Sequence, residues 1–334
     1  MWMTEDNIVE VAFDKEHLFE LILSPSNLNK AYKAVSGNKG CGGIDKMSWE
    51  ELFPWLLANK DEFIISLQNG TYRPNPVRRV EIPKANGKTR LLGIPTVVDR
   101  LVQQAIHQVL TPIYERQFSM TSYGFRPKRG CHDALRRAQK IVDEGYRYVV
   151  DLDLERFFDT VSHSKLIEIL SHTIKDGRVV SLIHKYLRSG VMNRGLFETS
   201  TEGTPQGGPL SPLLSNIMLN ELDKELESRG HPFVRYADDA LIFCKSKRAA
   251  QRVKESITRF IEGQLFLKVN REKTVVSYVQ GVKFLGYSFY VMKGKCLLTV
   301  HPQSKSKMKF KLKELTSRSN GGDMNAGNRN LGNT

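Results

Sequence analysis

Two short apolar runs in this 334-residue chain carry acids where a buried strand would meet solvent, and this restricts the fold more than any other feature. Tyr148-Val149-Val150-Asp151-Leu152-Asp153 ends on a carboxylate. Phe233-Val234-Arg235-Tyr236 and Ala240-Leu241-Ile242-Phe243 flank Asp238-Asp239, which reads as a hairpin with two carboxylates at its turn. If these strands are neighbours in one sheet, Asp153, Asp238 and Asp239 converge. Like charges within ~4 to 6 Å raise one another's pKa, so such a cluster usually coexists with bound cations, and oxygen-only ligands select Mg²⁺ or Mn²⁺ over zinc. An isolated Asp-Asp pair is more often a solvated turn, and Asp151-x-Asp153 alone is weak. The apolar packing around these acids favours a site, because carboxylates at the ends of buried strands cost stability unless something binds there.

The formal charge of +14 points to a polyanionic partner, most often nucleic acid. It is focused: residues 73 to 100, 126 to 140 and 301 to 334 each carry a net +5, which leaves the remainder about neutral. No window has the ~18 uninterrupted apolar residues of a membrane helix, and Glu5, Asp6 and Glu10 are unlike a signal peptide, so the expectation is a cytoplasmic protein without a membrane partner. The four cysteines lie far apart with no C-x-x-C pair, which signals neither zinc nor a disulfide framework.

The first seventy residues read as helices broken by Gly37-Asn38-Lys39-Gly40-Cys41-Gly42-Gly43. Arg79 to Pro83 and Thr89 to Ile94, around Asn86-Gly87, predict a hairpin with a basic tip. Gly87-Lys88-Thr89 imitates the end of a phosphate loop, but Ile82 stands where that loop needs glycine. Leu101, Val102, Ala105, Ile106, Val109 and Leu110 have helical spacing, as do Leu214, Ile217, Met218, Leu222 and Leu226 after Ser211-Pro212. A helix around Val253 to Phe260 follows, then strands near Thr274 to Tyr278, Phe284 to Tyr290 and Cys296 to Val300. Strands and helices mixed without regular alternation predict an α+β fold.

Tyr236-Ala237-Asp238-Asp239 resembles the Y-x-D-D box of reverse transcriptases, and Asp153 with Phe157-Phe158-Asp159 resembles their first catalytic aspartate block. The segment Thr204-Pro205-Gln206-Gly207-Gly208-Pro209-Leu210-Ser211-Pro212 is similar to the block that closes over the incoming nucleotide. Arg90 to Pro95, Tyr123 to Pro127 and Phe284-Leu285-Gly286-Tyr287 complete six boxes in the family's order. Their wording resembles bacterial group II intron-encoded proteins, whose activities are reverse transcription and maturase-assisted splicing.

The resemblance implies a right-hand polymerase, with an antiparallel palm sheet packed on helices. Its expected parts are an N-terminal extension (1–70), fingers (71–145), palm (146–300, with a finger insertion at about 165–203), and a basic thumb start and flexible tail (301–334). It implies that Asp153, Asp238 and the Leu154 carbonyl ligate two Mg²⁺ ions, with Mn²⁺ as the alternative, and that Asp239 completes the acidic site. Lys84 and Arg90 would neutralise the triphosphate, Gln206 would contact the nucleotide near its sugar, Phe158 would exclude a 2′-hydroxyl, and Lys273 would lie near the nucleotide pocket. Phe284, Leu285, Gly286 and Tyr287 would grip the primer end; Arg78, Arg79, Arg126, Lys128, Arg129, Arg136 and Arg137 would hold RNA. The implied partners are group II intron RNA, an RNA template with a DNA primer, and dNTPs, with a homodimer left open.

One departure from the family is visible. The lysines at 305, 307, 309, 311 and 313 suit the start of a basic helix, but Gly321 to Asn328 cannot build a helical thumb, so the thumb is expected to be largely missing and the chain a piece of a longer protein. Two other readings stay open: an RNA-binding maturase fragment without polymerase activity, and a diversity-generating, CRISPR-associated or retron reverse transcriptase.

Overall fold

A computed structural model describes residues 16–83 and 89–316. Helices α1 (Leu18–Leu23), α2 (Pro25–Gly37) and α3 (Leu52–Gln68) lead into strands β1 (Val77–Pro83) and β2 (Thr89–Ile94), then α4 (Val97–Glu115) and α5 (Cys131–Asp143). Strand β3 (Tyr148–Leu152) precedes α6 (Phe157–Thr160), α7 (His163–Thr173), α8 (Gly177–Leu187), β4 (Val191–Asn193) and β5 (Leu196–Glu198). Helix α9 (Ser211–Ser228), the hairpin β6 (Phe233–Tyr236) and β7 (Asp239–Cys244), and α10 (Lys247–Gln264) follow. The chain continues through β8 (Val275–Tyr278), β9 (Lys283–Phe284), β10 (Tyr287–Met292), β11 (Lys295–Val300) and α11 (Pro302–Leu315).

The central sheet has the order β6-β7-β3-β8 and is antiparallel throughout. Successive strand residues point to opposite faces, and here both faces are covered. Val150, Leu152, Phe233 and Ile242 join the large core with α4, α9 and α10. Val149, Val234, Leu241 and Phe243 join a second core with Leu135 and Ile141 of α5 and Phe289 of β10. Burial on both faces explains why these strands read as continuous apolar runs rather than alternating ones. It also fixes register, because a slip of one residue would move every side chain to the other face.

A second sheet, β2-β1-β4-β5, contains the hairpin expected around residues 79–94. Strand β4 adds to it in parallel, pairing Val191 with Val77, so residues 191–198 belong to this sheet although they follow β3 by some forty positions. The hairpin tip with Lys84 and Asn86-Gly87 lies outside the described residues, as does the glycine- and asparagine-rich tail. Strands β9 to β11 form a third sheet, and α11 follows with no buried residue. Helices α5, α7 and α8 were not among the expected elements. Among the described residues, no helix is long and apolar enough to cross a membrane.

Candidate active site

The acids meet where the central sheet ends. Strand β3 pairs with β7 up to Leu152 opposite Ala240, and continuing that register sets Asp153 opposite Asp239. Tyr236 pairs with Asp239, so Ala237 and Asp238 form a two-residue turn, with Ala237 in the left-handed region at φ 57°. Asp153, Asp238 and Asp239 line one cleft of about 1120 Å³, together with Arg90, Leu154, Phe158, Gln206 and Lys273. Asp153 is held by its backbone. Its N–H donates to Thr274 Oγ1 at 3.2 Å, the Thr274 hydroxyl lies 3.2 Å from its carbonyl oxygen, and that oxygen accepts from the Asn270 N–H at 2.9 Å.

The carboxylates press on one another. Asp239 opens to solvent, yet its surroundings desolvate it and Asp238 and Asp153 repel it, so its pKa is raised to about 6, with Lys273 opposing. Asp151, two residues before Asp153 and on the same face of β3, is also raised to about 6 by desolvation and then by Asp239 and Asp153. Lys273 Nζ lies 3.2 Å and 3.4 Å from the two carboxylate oxygens of Asp153 and supplies local countercharge. Among the described residues, no three His, Cys, Asp or Glu side chains form a group ready to hold an ion. Mg²⁺ usually keeps several waters and takes one or two carboxylates plus phosphate oxygens, so this all-oxygen, mutually repelling set fits a hard divalent cation without a three-carboxylate cage.

The opposite wall is built by residues 203–208. Gly203 N–H donates to Val161 O at 2.7 Å and Thr204 N–H to Phe158 O at 2.6 Å, which ties the segment to α6. On its other side Gly93 N–H donates to Gln206 O at 2.7 Å, and Arg90 Nε donates to Gln206 Oε1 at 2.8 Å. Gly207 adopts φ 129°, and a Cβ there would lie 2.6 Å from the Gly93 carbonyl oxygen, so this crossing requires glycine. Phe158 is buried and contributes to the cleft lining. A second cleft of about 460 Å³ shares Arg90, Phe158 and Gln206 and extends to Arg100 and Phe125.

Other expected residues lie elsewhere. Phe284, Leu285, Gly286 and Tyr287 form the β9–β10 turn, with Leu285 at φ 49° and Gly286 at φ 87°, and they do not line this cleft. Arg126, expected on an RNA surface, is instead buried: it pairs with Glu115 at 2.6 Å and donates to the carbonyls of Ser119 and Ser122. Arg129 turns towards the carbonyls of Met120 and Ser122 and stacks on Tyr123, and Arg78 donates twice to the Gly42 carbonyl. Arg79 is half-buried in β1. Lys128 and Arg136 are exposed, Arg136 beside Asp133, and Arg137 is half-buried. Sequence reasoning missed Thr274 and a buried trio, Asn216, Asp223 and Arg235, that meets the turn before Asp238. The available signal for the trio was an arginine inside an otherwise apolar strand.

The chain matches the family described as reverse transcriptase (RNA-dependent DNA polymerase) over residues 82–289. It is 36% identical to protein YkfC of Escherichia coli strain K12, over 81% of this chain and 82% of that protein. It is 33% identical to the group II intron-encoded protein LtrA of Lactococcus lactis subsp. cremoris, over 86% of this chain but only 58% of that longer protein. Among solved structures, a telomerase from Candida tropicalis truncated from its C-terminal domain shares the fold, with a TM-score of 0.52 and 15% identity, over 67% of this chain and 55% of that one.

Proposed function

The chain belongs to the reverse transcriptase family, the RNA-dependent DNA polymerases, and from that membership we propose that its acidic cleft extends a DNA primer on an RNA template by metal-dependent nucleotidyl transfer. The observation that carries this reading is the meeting of Asp153, Asp238 and Asp239 in one cleft faced by the linked Arg90 and Gln206. When bound, two divalent cations, Mg²⁺ with Mn²⁺ as the alternative, supply charge neutralisation for attack of the primer 3′-hydroxyl on the α-phosphate and for departure of pyrophosphate. Asp153 and Asp238, with the Leu154 carbonyl, would hold them, and Asp239 would complete the acidic side.

The chain's own residues mainly position and neutralise. Arg90 offers the triphosphate a planar fork of donors and keeps Gln206, 2.8 Å away, near the nucleotide sugar. Phe158 lies under that sugar and excludes a 2′-hydroxyl, which selects dNTPs. Lys273, 3.2 Å from the Asp153 carboxylate, supplies the countercharge that a cation held by Asp153 would take over. An A-form hybrid is held through backbone and 2′-hydroxyl contacts, which leaves template sequence largely unread. The likeness to LtrA supports a further role in binding group II intron RNA during splicing.

The test is primer extension on an RNA template with dNTPs or NTPs. The wild-type chain is expected to extend with dNTPs and divalent metal. Asp238→Ala with Asp239→Ala is expected to lose at least ~10³-fold in rate, the size of several kcal/mol of lost transition-state stabilisation, while RNA binding persists. Extension that survives the double substitution would overturn the site assignment. RNA binding by a wild-type chain that does not extend would instead favour the binding-only reading.

A further inference from the structure

Arg235 is the largest fully buried side chain among the described residues, 1% exposed in the middle of β6. All three of its guanidinium nitrogens donate, in four hydrogen bonds. Nε and Nη2 donate to the two carboxylate oxygens of Asp223 at 2.7 Å and 2.5 Å, and Nη1 donates to Asn216 Oδ1 and to the Ala237 carbonyl, both at 2.9 Å. Asp223 is wholly buried, and both it and Asn216 project from α9. A buried ion pair is weak evidence for stability, because well-packed apolar residues of similar volume often serve equally well or better. Stability alone therefore does not account for this one.

Position does. The carbonyl that Arg235 holds belongs to Ala237, the left-handed residue of the turn, and the next residue is Asp238. A non-glycine residue in that conformation costs about 1 kcal/mol or more and persists only where its surroundings enforce it. A second grip comes from residues 121–124. Arg235 N–H donates to Thr121 O, Tyr123 N–H donates to Arg235 O, and Asn216 Nδ2 donates to the Gly124 carbonyl, each at 2.9 Å. A Cβ on Gly124 would stand 2.2 Å from Ala237 N, so this strip packs directly on the turn.

We propose that Arg235, gripped by Asp223 and Asn216, is a positioning residue that fixes the aim of the Asp238 carboxylate by holding the Ala237 carbonyl. The reason this aim matters rests on the polymerase reading above; the clamp itself does not. A misplacement of about 1 Å at a reacting centre can cost ~10²-fold in rate, so small changes in this turn are amplified in catalysis.

The informative variant is the double substitution Arg235→Met with Asp223→Leu in the full chain, which removes the pair without leaving a buried charge. Arg235→Lys, which keeps a charge for Asp223 but not the fork, is its companion. In the double variant, hydrogen exchange of the peptide spanning residues 236–239 is expected to quicken at least 10-fold, with protection of β3 and α9 unchanged. Primer extension should lose 10- to 100-fold in kcat at unchanged KM for dNTP, although the thermal midpoint stays near that of the wild type. Arg235→Lys should fall between. Wild-type exchange at the turn together with wild-type kcat would overturn the clamp, and so would a kcat that recovers fully with stability. If the double variant does not fold, Arg235→Lys decides by the same two readouts. If the wild-type chain does not extend primers, the polymerase reading fails while the exchange result still decides the clamp.

Discussion

At the scale of single residues, the site is held against its own electrostatics. Asp239 is raised to about 6 from a usual carboxylate value of 3.8, first by desolvation and then by Asp238 and Asp153. The folded chain therefore takes up a proton more readily than the unfolded one. The resulting stabilisation is fully present below about pH 4 and is lost as pH rises through about 6. Asp239→Asn removes the repelling charge, so in metal-free buffer it is expected to raise the thermal midpoint at pH 7.5 by on the order of 1 to 3 °C and to leave it unchanged at pH 4. The gain is modest because the side chain reaches solvent. The same variant should lose primer extension, the trade expected where function keeps an unfavourable charge in place. Calorimetry at the two pH values checks this, and a lower midpoint at pH 7.5 would show that Asp239 makes a net stabilising contact instead.

At the scale of elements, the wall facing the acids is joined within itself by the Arg90–Gln206 hydrogen bond between β2 and residues 203–208. If the two side chains act as one unit on the nucleotide, Arg90→Ala and Gln206→Ala should each raise the KM for dNTP about 5- to 20-fold. The double variant should be little worse than either, a coupling of about 1 kcal/mol in a double-mutant cycle; strictly multiplicative effects would make them independent contacts. The sequence made these elements legible unevenly. Strands β3, β6 and β7 could be read because burial on both faces makes them apolar throughout, and their acids stand at the ends. The parallel pairing of β4 with β1 could not be read, because β4 is only three residues long, the pairing covers two positions, and the partners lie more than a hundred residues apart. Helix α5 was obscured by its own arginines, whose charge suggested a surface although Ala134, Leu135, Ala138, Ile141 and Val142 bury its other face. Arg126 and Arg235 show the same limit from inside: a sequence gives a charge, but whether a buried partner waits for it depends on residues such as Glu115 and Asp223, which only the fold brings near.

At the scale of the whole molecule, the three basic stretches cannot contribute equally to binding a polyanion. In the first, Arg78 is committed to the Gly42 carbonyl and Arg100 to that of Cys41; in the second, Arg126 and Arg129 turn inward. Helix α11 differs, because none of its residues is buried and Lys305, Lys309 and Lys313 recur every four positions along one stripe. Lys311 pairs with Glu314 at 3.2 Å, whereas the exposed Lys305, Lys309 and Lys313 present a stripe of positive charge that a polyanion could meet. Each lysine that neutralises a phosphate contributes about one unit to the slope of log affinity against log salt. Changing Lys305, Lys309 and Lys313 together to Gln should therefore weaken binding to a structured RNA and reduce the slope by about 2 to 3, with the thermal midpoint unchanged. Arg126→Gln should do the reverse: it leaves Glu115 without its partner and destabilises the fold by about 2 to 4 kcal/mol, while the salt slope of the folded protein stays as it was. Binding titrations across salt concentrations, paired with denaturant melts, separate the two effects, and a slope untouched by the triple substitution would remove α11 from the RNA surface.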